Sequence, residues 1–417
     1  MTAQLLDLAL PAIASAGHPE VADYVTNSVH FCRGILSNLP DVVSKYKGRG
    51  FVVADTNTAS FVPQAMLELF PYHIIQGDYC ASERLVDYVA EVSADADFII
   101  ALGSGTINDI CKYASFLGKK EYISFPTAPS MNGYTSSNAS ITLNNGIKKS
   151  LTAHLPKDIY VDIDIVTNAP QRMINSGFAD FICRSSARAD WLISHFLLGT
   201  PYNELPFFIT HPSEQALLDN YRGLMHRDVS SIMALMQALI LSGIGMLIVG
   251  SSHPASQGEH IVAGVTELLD SYSFLHGERV GVATVCMLKL QKYICALKPV
   301  IGTTSLSETT LHKYFSRSCA DEFCTTLSKK HIDFKKAECL NDKINKKWGQ
   351  ISEIFEEKVL DSVRLKNVLS YLGAPNMPEH VGWSTNRYNE VANLAFATRD
   401  RFTFLDVAHH AGVSVCD

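Results

Sequence analysis

The sequence lacks the paired cysteines, the basic surplus and the biased segments that mark several common classes of protein. Its ten cysteines are scattered over 417 residues without a CxxC pair, which argues against a disulfide scaffold and favours the reduced thiols of a cytoplasmic protein. The formal net charge of −7 argues against a nucleic-acid-binding protein. Repeats and low-complexity segments are also absent. With 47% hydrophobic residues, the chain has enough apolar material for two folded domains.

The sequence also lacks a clear membrane signal. The amino-terminal segment has no positively charged region of the kind that begins a signal peptide. Residues 232–250 form an apolar run long enough to cross a bilayer. Gln237, Ser242 and two glycines interrupt this run, and no cluster of positive charge flanks it. We therefore predict a helix that is buried in the protein, and no membrane span.

What is present before about residue 165 is an alternation of short apolar runs with helical stretches. The runs predict strands at 51–54, 72–75, 97–102 and 122–125, and the stretches predict helices at 60–70, 82–92 and 106–116. This alternation is typical of a parallel sheet with helices on both faces, which binds ligands at the carboxyl ends of its strands.

After about residue 168 the sequence favours helices throughout. The predicted helices cover 170–196, 212–222, 228–248, 258–275, 279–297, 307–329 and 343–372. We therefore expect an α/β domain with a parallel sheet over 1–167, an all-α domain over 168–417, and a site in the cleft between them.

Two loops of the α/β part have the composition of ligand-binding loops. Residues 103–109 follow the clearest strand and begin a helix, and their glycines would let the backbone approach a phosphate closely. The pattern is not GxGxxG, and it fits an ordinary strand-to-helix turn equally well. Residues 125–137 follow the next strand and are rich in hydroxyl and amide groups. They suit a sugar or a phosphate, or simply a polar loop.

The helical part contains a candidate metal site. Asp180, His260 and His276 supply one carboxylate and two imidazoles, a set that can hold a divalent metal and leave a position open for a substrate. Their spacing does not by itself bring them together, because each could instead cap a helix or form a hydrogen bond in the core. The polar run 251–260 follows an apolar helix, which indicates the wall of a site.

Taken together, these segments resemble the sn-glycerol-1-phosphate dehydrogenases, particularly the bacterial branch. That family is related to glycerol dehydrogenases, iron-type alcohol dehydrogenases and dehydroquinate synthases. The matching segments occur in the family's order and are VVADTNT (52–58), GSGTINDICKYAS (103–115), SFPTAPSMNGYTSS (124–137), AHLPKDIYVDIDI (153–165), SGFADFICRSSARADW (176–191), GSSHPASQGEH (250–260), LHGERVGV (275–282) and RDRFTFLDVA (399–408).

The resemblance implies an NAD(P)-binding domain followed by a helical, metal-binding catalytic domain. It implies that Asp180, His260 and His276 are catalytic residues that ligate Zn²⁺ or Ni²⁺, with Asn132 beside the reacting carbonyl. The expected reaction is the reduction of dihydroxyacetone phosphate, or a related phosphorylated ketone or polyol. A homodimer or higher homo-oligomer in the cytoplasm is also expected.

The resemblance also assigns cofactor-binding residues. It places Gly103, Ser104, Gly105 and Asp109 at the pyrophosphate, Thr127 and Ser130 near the nicotinamide, and Ser136 among the further contacts. Asp55 would accept a hydrogen bond from the adenosine ribose. A carboxylate there favours NAD(H), because a 2′-phosphate would meet a like charge, although NADP(H) stays possible.

The chain departs from the family at three positions of the expected substrate site. Asn132 replaces an aspartate, His253 an arginine and Gly264 a histidine. The candidates for binding the substrate are Asn132, Lys148, Lys149, Arg184 and His253, the last as a cation only if protonated. Two alternatives stay open: a dehydroquinate synthase-like cyclase or lyase that uses NAD transiently, and a relative with an altered substrate or a lost activity.

Overall fold

A computed structural model describes residues 4–270 and 274–416. Within these residues, six parallel strands form one sheet in the order β1-β8-β5-β4-β2-β3, and two antiparallel strands form a separate hairpin, β6–β7. The strands are β1 (Val29–Cys32), β2 (Gly50–Asp55), β3 (Tyr72–Ile75), β4 (Phe98–Gly103), β5 (Glu121–Pro126), β6 (Asn138–Thr142), β7 (Lys148–Thr152) and β8 (Asp158–Asp162).

Both faces of the sheet are buried because successive side chains of a strand point to opposite sides. Val53 and Ile99 belong to one apolar cluster, whereas their neighbours Val52 and Ile100 belong to another. Every residue of β2 and β4 is buried, as expected for strands covered on both faces. The parallel α/β sheet that the sequence predicted is confirmed.

The described residues contain twenty α-helices. They are α1 (Gln4–Ser15), α2 (Pro19–Ser28), α3 (Leu39–Val43), α4 (Gln64–Leu69), α5 (Glu83–Val92), α6 (Gly105–Leu117), α7 (Ile163–Thr167), α8 (Gln171–Ile182), α9 (Arg184–Leu198), α10 (Leu205–Asp219), α11 (Tyr221–Met225), α12 (Val229–Val249), α13 (Gly258–Leu269), α14 (His276–Leu297), α15 (Glu308–Tyr314), α16 (Arg317–Lys329), α17 (Phe334–Lys358), α18 (Ser362–Tyr371), α19 (Thr385–Ala395) and α20 (Phe404–Ala411). Four short 3-10 helices are Ile35–Asn38, Ala59–Phe61, Pro378–Val381 and Phe396–Thr398.

The described residues after 168 contain helices and no strand, as the sequence predicted. The helices predicted over 170–196, 212–222, 307–329 and 343–372 each cover parts of two helices, and two other predicted helices were too long. The one over 60–70 is a 3-10 turn followed by α4, because Pro63 fixes an extended N-cap between them. The one over 258–275 ends at Leu269, and residues 271–273 lie outside the described part of the chain.

The chain folds into two compact units whose boundary differs from the predicted one at 167/168. The first comprises the chain up to Phe181 together with Leu205–Gly250, and the second comprises Ile182–Glu204 and the chain from Ser251 onward. Helices α10 to α12 therefore belong with the sheet. Within this first unit, Thr135 Oγ1 donates a hydrogen bond to Ile240 O at 2.7 Å, and Gln237 Oε1 accepts one from Leu5 N at 3.1 Å.

Helices α12 and α14 are long and apolar enough to cross a membrane by length and composition. Their most apolar windows are 78% and 67% buried inside the protein, as in the core helices of soluble proteins. Both ends of α12 are capped. Asp228 accepts a hydrogen bond from Ser231 N at the start of the helix, and Gly250 adopts a left-handed conformation at its end. The burial agrees with the predicted core helix.

Candidate active site

The two candidate ligand-binding loops meet at the carboxyl ends of β4 and β5. Gly103 is paired with Pro126 in the sheet, and Thr127 N donates a hydrogen bond to Gly103 O at 3.0 Å. Ser104 is the N-cap of α6, and Gly105 N lies 3.4 Å from Ser130 Oγ. The structure thus brings five of the predicted cofactor residues together at the sheet edge where such folds bind ligands.

Residues 127–137, which we call the polar loop, are held by a lysine that the sequence analysis missed. Lys112 is fully buried in α6, and its ammonium donates to Gly133 O at 2.6 Å, Ser136 O at 2.9 Å and Asn138 O at 3.2 Å. Burial lowers the pKa of Lys112 to about 8, against the opposing effect of Asp109. The only sequence signal was the lysine itself, within the helix predicted over 106–116.

Asp109 and Ser136, both predicted to contact the cofactor, take part in this same support. Asp109 accepts a hydrogen bond from Ser140 N at 3.1 Å, and Ser136 Oγ donates to Asn138 O at 2.8 Å. Burial raises the pKa of Asp109, and the Lys112 ammonium opposes that rise. The contacts of both side chains stabilise the polar loop and the start of the β6–β7 hairpin.

Asp55 ends β2 with its carboxylate fully engaged by the protein. One oxygen accepts hydrogen bonds from Asn57 N at 2.9 Å and from Thr58 N at 2.8 Å, and the other accepts one from Tyr79 Oη at 2.5 Å. Burial, together with this bond to Asp55, raises the pKa of Tyr79. The carboxylate is therefore fixed at the carboxyl end of its strand, next to Leu102 O, which accepts from Thr58 Oγ1 at 3.1 Å.

Asp180 and Asn132 are joined directly within the first unit. Asp180 is buried in α8, and its Oδ2 accepts a hydrogen bond from Asn132 N at 2.9 Å. The Asn132 side chain also lies 3.4 Å from Asp180 O. The polar loop thus orients the carboxylate that the sequence assigned to a metal.

His260 is oriented by a buried glutamate in the second unit. Glu259 is fully buried, and its Oε1 lies 3.0 Å from His260 Nδ1 and accepts from Gln257 N at 2.7 Å. Burial alone would raise the pKa of Glu259, but the hydrogen bond with His260 holds it below its ordinary value. Because a carboxylate only accepts, this pairing puts the proton on Nδ1 and leaves Nε2 to bind a metal.

Two further candidate ligands lie near His260. The rings of His260 and His276 are 5.1 Å apart between centroids, and His276 Nδ1 lies 3.7 Å from Glu267 Oε2. Cys183 Sγ is 4.0 Å from His260 Nδ1. Asp180 precedes Cys183 by three residues in the sequence.

These groups fit a divalent metal by their chemistry. Carboxylate oxygen, imidazole nitrogen and thiolate sulfur are all ligands of Zn²⁺ and related ions. Glu259 supplies the carboxylate partner that usually fixes the ring of a metal-binding histidine. Glu259 and Cys183 were both missed by the sequence analysis, although Glu259 directly precedes a predicted ligand.

The predicted substrate residues lie in different parts of the chain. Lys148 and Lys149 lie on β7 opposite Thr142 and Ile141, and Arg184 is buried at the start of α9. Burial, with Arg401 and Arg399 nearby, lowers the pKa of His253 to about 3, so His253 is neutral and does not supply the positive charge considered for it.

Comparison with known proteins finds similarity to one group of enzymes. Residues 30–170 match the sequence model described as iron-containing alcohol dehydrogenase. The chain is 34% identical over 249 residues to a glycerol-1-phosphate dehydrogenase [NAD(P)+] of Geobacillus thermodenitrificans, which covers 56% of this chain and 61% of that protein. It is 36% identical over 216 residues to the enzyme of the same name from Bacillus subtilis, covering 51% and 55%. The match thus spans about three fifths of these relatives' length.

Solved structures show the same fold at low identity. A probable glycerol dehydrogenase from Sinorhizobium meliloti superposes with a TM-score of 0.58 at 16% identity, covering 91% of this chain and 94% of that one. The NADH-dependent butanol dehydrogenase A of Thermotoga maritima gives 0.60 at 12%, covering 93% of each chain. The chain is therefore similar to glycerol-1-phosphate dehydrogenases over about half of its length, and its residues 30–170 match the iron-containing alcohol dehydrogenase model.

Proposed function

We propose that this protein is a metal-dependent NAD(P)H oxidoreductase that reduces dihydroxyacetone phosphate to sn-glycerol 1-phosphate. The pair of His260 and His276 in the second unit carries the proposal, because their rings lie 5.1 Å apart between centroids and Glu259 holds the Nδ1 side of His260. Sequence relatives named as NAD(P)-linked glycerol-1-phosphate dehydrogenases support the substrate and the cofactor.

In this proposal each of these groups has a separate task. When bound, a divalent metal would polarise the ketone oxygen, and a reduced nicotinamide would supply the hydride. Asn132 keeps Asp180 in place through its backbone N–H, and Glu259 keeps the Nδ1 proton on His260. The residues at the ends of β4 and β5, Gly103 to Gly105 with Thr127 and Ser130, would bind the cofactor.

The direct test is oxidation of NADH by metal-loaded protein with dihydroxyacetone phosphate, dihydroxyacetone and larger phosphorylated ketones, each repeated after chelation. Chelator-sensitive turnover of dihydroxyacetone phosphate is the expected result. Turnover of a cyclisation substrate without net NADH consumption would favour the dehydroquinate synthase-like alternative. Protein that holds neither metal nor NADH would contradict the whole proposal.

The third metal ligand needs its own experiment, since both His276 and Cys183 lie near His260. We propose that His276 is the third ligand, in agreement with the family resemblance, and that the metal is Zn²⁺ or Ni²⁺. His276→Ala should then weaken metal binding by about two orders of magnitude or more, whereas Cys183→Ser should leave it near the parent value. A Co²⁺-loaded sample distinguishes the two directly, because a thiolate ligand adds an intense near-ultraviolet charge-transfer band that Cys183→Ser would abolish.

We further propose that NAD(H) is preferred over NADP(H), because the fixed carboxylate of Asp55 would meet a 2′-phosphate as a like charge. Asp55→Ser should narrow the preference by raising the activity with NADPH relative to NADH. A cytoplasmic homodimer completes the proposal, and sedimentation of the purified protein tests the oligomeric state.

A further inference from the structure

A cavity in the second unit carries a concentration of positive charge. Its volume is about 250 Å³, smaller than the ~300–1,000 Å³ typical of drug-sized ligands, which suits a small metabolite or ion. The one carboxylate among its lining residues is that of Asp400, which is exposed. The lining residues that carry the argument are His253, Gln257, Lys329, Lys330, Lys336 and Arg401. We call it the Arg401 cavity.

Arg401 lies beside a second arginine, and neither pairs with a carboxylate in the described part of the chain. Arg401 Nη2 and Arg399 Nη2 both donate to Ser252 Oγ, at 2.9 and 3.2 Å, so the guanidinium groups are neighbours. Their other hydrogen bonds go to Ser256, from Arg399 Nη1 to its hydroxyl and from Arg401 Nη1 to its carbonyl. Two adjacent cations are thus satisfied only by neutral acceptors.

The charge of this pair is incompletely balanced. Burial lowers the pKa of Arg401 far below its ordinary value, and the charge of Arg399 lowers it further. Glu259 is the one carboxylate that opposes this effect, but its oxygens already accept from Gln257 N and Ser186 Oγ and pair with His260. An anion in the cavity would relieve the repulsion between the two guanidinium groups.

Lys330 differs from the other cations of the cavity, because it contacts the surrounding backbone and an ion pair already neutralises its charge. Its ammonium pairs with Asp406 at 2.7 Å and donates to Phe396 O and Arg401 O, both at 2.6 Å. It therefore fixes the backbone that presents Arg401. Lys329 and Lys336 stand at the end of α16 and the start of α17, where they add charge without a carboxylate partner in the described residues.

His253 contributes a neutral polar wall. Its Nδ1 lies 2.7 Å from Ser251 Oγ, and its low pKa keeps the ring uncharged at neutral pH. Gln257 adjoins it, with Nε2 donating to His253 O at 3.1 Å. Recognition in the cavity would therefore combine the charges of Arg401, Lys329 and Lys336 with neutral polar groups, a set suited to the several oxygens of a phosphate.

We propose that the Arg401 cavity binds a phosphate-type oxyanion. The anion could be free inorganic phosphate or the phosphate group of the substrate, and only the second source rests on the proposed function. Of the substrate-binding residues expected from the sequence, His253 lines this cavity, as a neutral group. The positive charges come from Arg401, Lys329 and Lys336, which were not among those expected residues.

Inorganic phosphate tests the site without any catalytic readout. Metal-loaded protein is titrated with phosphate, sulfate and chloride at matched ionic strength, and binding is followed calorimetrically and by thermal unfolding. Phosphate should bind and raise the Tm beyond the effect of chloride. The double variant Lys329→Gln/Lys336→Gln should bind it at least fivefold more weakly, whereas Lys346→Gln, an exposed lysine of α17, should match the parent.

A second variant guards against effects on folding. Arg401→Lys keeps the charge but loses the planar fork, and circular dichroism shows whether it folds. Folded Arg401→Lys should bind phosphate about tenfold more weakly. Phosphate no more effective than chloride, or equal binding by parent, Lys329→Gln/Lys336→Gln and Arg401→Lys, would overturn the proposal.

Kinetics then separate the two sources of the anion. If the substrate supplies it, phosphate competes with dihydroxyacetone phosphate, and Lys329→Gln/Lys336→Gln raises the KM for that substrate about tenfold with a far smaller effect on dihydroxyacetone. If free phosphate is the ligand, it binds without competition. Phosphate binding in a protein that reduces neither ketone would retain the anion site and reject the proposed function.

Discussion

Single buried charges do much of the positioning in this protein, and Lys112 is the clearest example. Its ammonium contacts three carbonyl oxygens of the 133–138 segment. It also has the largest effect among the groups that lower the pKa of buried Asp109. Removing it would leave those acceptors without this donor and would take away the largest counter-charge to that carboxylate. A lysine with this role holds the polar loop in the conformation that presents Thr127, Ser130 and Asn132.

We predict that Lys112→Met destabilises the protein by about 3–5 kcal/mol, the range for breaking a buried ionic network by removing one partner. Urea unfolding measures the loss. Lys47→Met, at an exposed lysine, should stay within ~0.5 kcal/mol of the parent. Asp109→Asn combined with Lys112→Met should cost less than the sum of the single changes. Additive effects would show that the two groups are independent.

Glu259 acts at the same scale on the proposed metal ligand. We predict that Glu259→Gln weakens metal binding about 10–100-fold, because an amide no longer fixes the Nδ1 proton and ring of His260 as a carboxylate does. Competition with a chromophoric chelator gives the affinity. Glu338→Gln, on the exposed face of α17, is the matched control and should leave the affinity unchanged. Equal affinities in all three proteins would mean that His260 is positioned by other contacts.

At the scale of elements, the polar loop packs against α8 and α12, and each of these helices has a glycine at the point of contact. A Cβ at Gly177 of α8 would stand 1.7 Å from Pro129 O, and one at Gly243 of α12 would stand 2.2 Å from Thr135 Oγ1. The first of these contacts is with backbone, which cannot move aside as the end of a side chain can. Gly177 is also one helical turn before Asp180, so the loop and the proposed ligand share one contact region.

We predict that Gly177→Ala destabilises the protein by about 3 kcal/mol or displaces the polar loop, because overpacking typically costs 1–3 kcal/mol and the contact here is with the backbone of Pro129. The Tm of thermal unfolding and the metal affinity should both fall. The control is Gly349→Ala in α17, where a new Cβ would meet nothing within 4 Å. That change should stabilise the helix by up to about 1 kcal/mol. Similar effects at both positions would contradict the close contact.

Sequence patterns predicted which segments form strands and helices better than they predicted which segments contact one another. Strands β2 to β5 were found because each is a short apolar run, and their parallel arrangement placed residues 103–109 beside the polar loop. Strand β1 has only four residues with no buried face, and the β6–β7 hairpin has mixed polarity, so neither gave a clear pattern. Lys112, Cys183 and Glu259 were missed because their roles come from contacts between segments that no periodicity reports.

At the scale of the whole molecule, composition revealed neither how the chain divides into two units nor where positive charge is concentrated. The apolar pattern of α12 gave its burial correctly, but not the fact that α10 to α12 belong with the sheet. A net charge of −7 likewise coexists with a cavity lined by Lys329, Lys330, Lys336 and Arg401. Net charge describes the average field of a protein, whereas ligands respond to the charges of one pocket.

That local charge should appear in the acid stability of the whole protein through His253. Its pKa falls from 6.5 to about 3 on folding, chiefly because of burial and then because of Arg401 and Arg399. Between these values the unfolded chain binds a proton that the folded protein does not. The contribution of His253 to stability is therefore complete above about pH 6.5 and is lost progressively as the pH falls towards 3.

We predict that His253→Gln, which cannot take up that proton, flattens the loss of unfolding free energy between pH 6.5 and pH 4 by about 1–3 kcal/mol, a figure reduced for the solvent around the partly exposed ring. Urea unfolding at several pH values measures it, with both proteins treated with chelator so that metal release does not contribute. His226→Gln, at an exposed histidine, should follow the parent curve. Parallel curves for His253→Gln and the parent would show that the ring titrates normally, and that the two arginines do not govern the charge of this part of the protein.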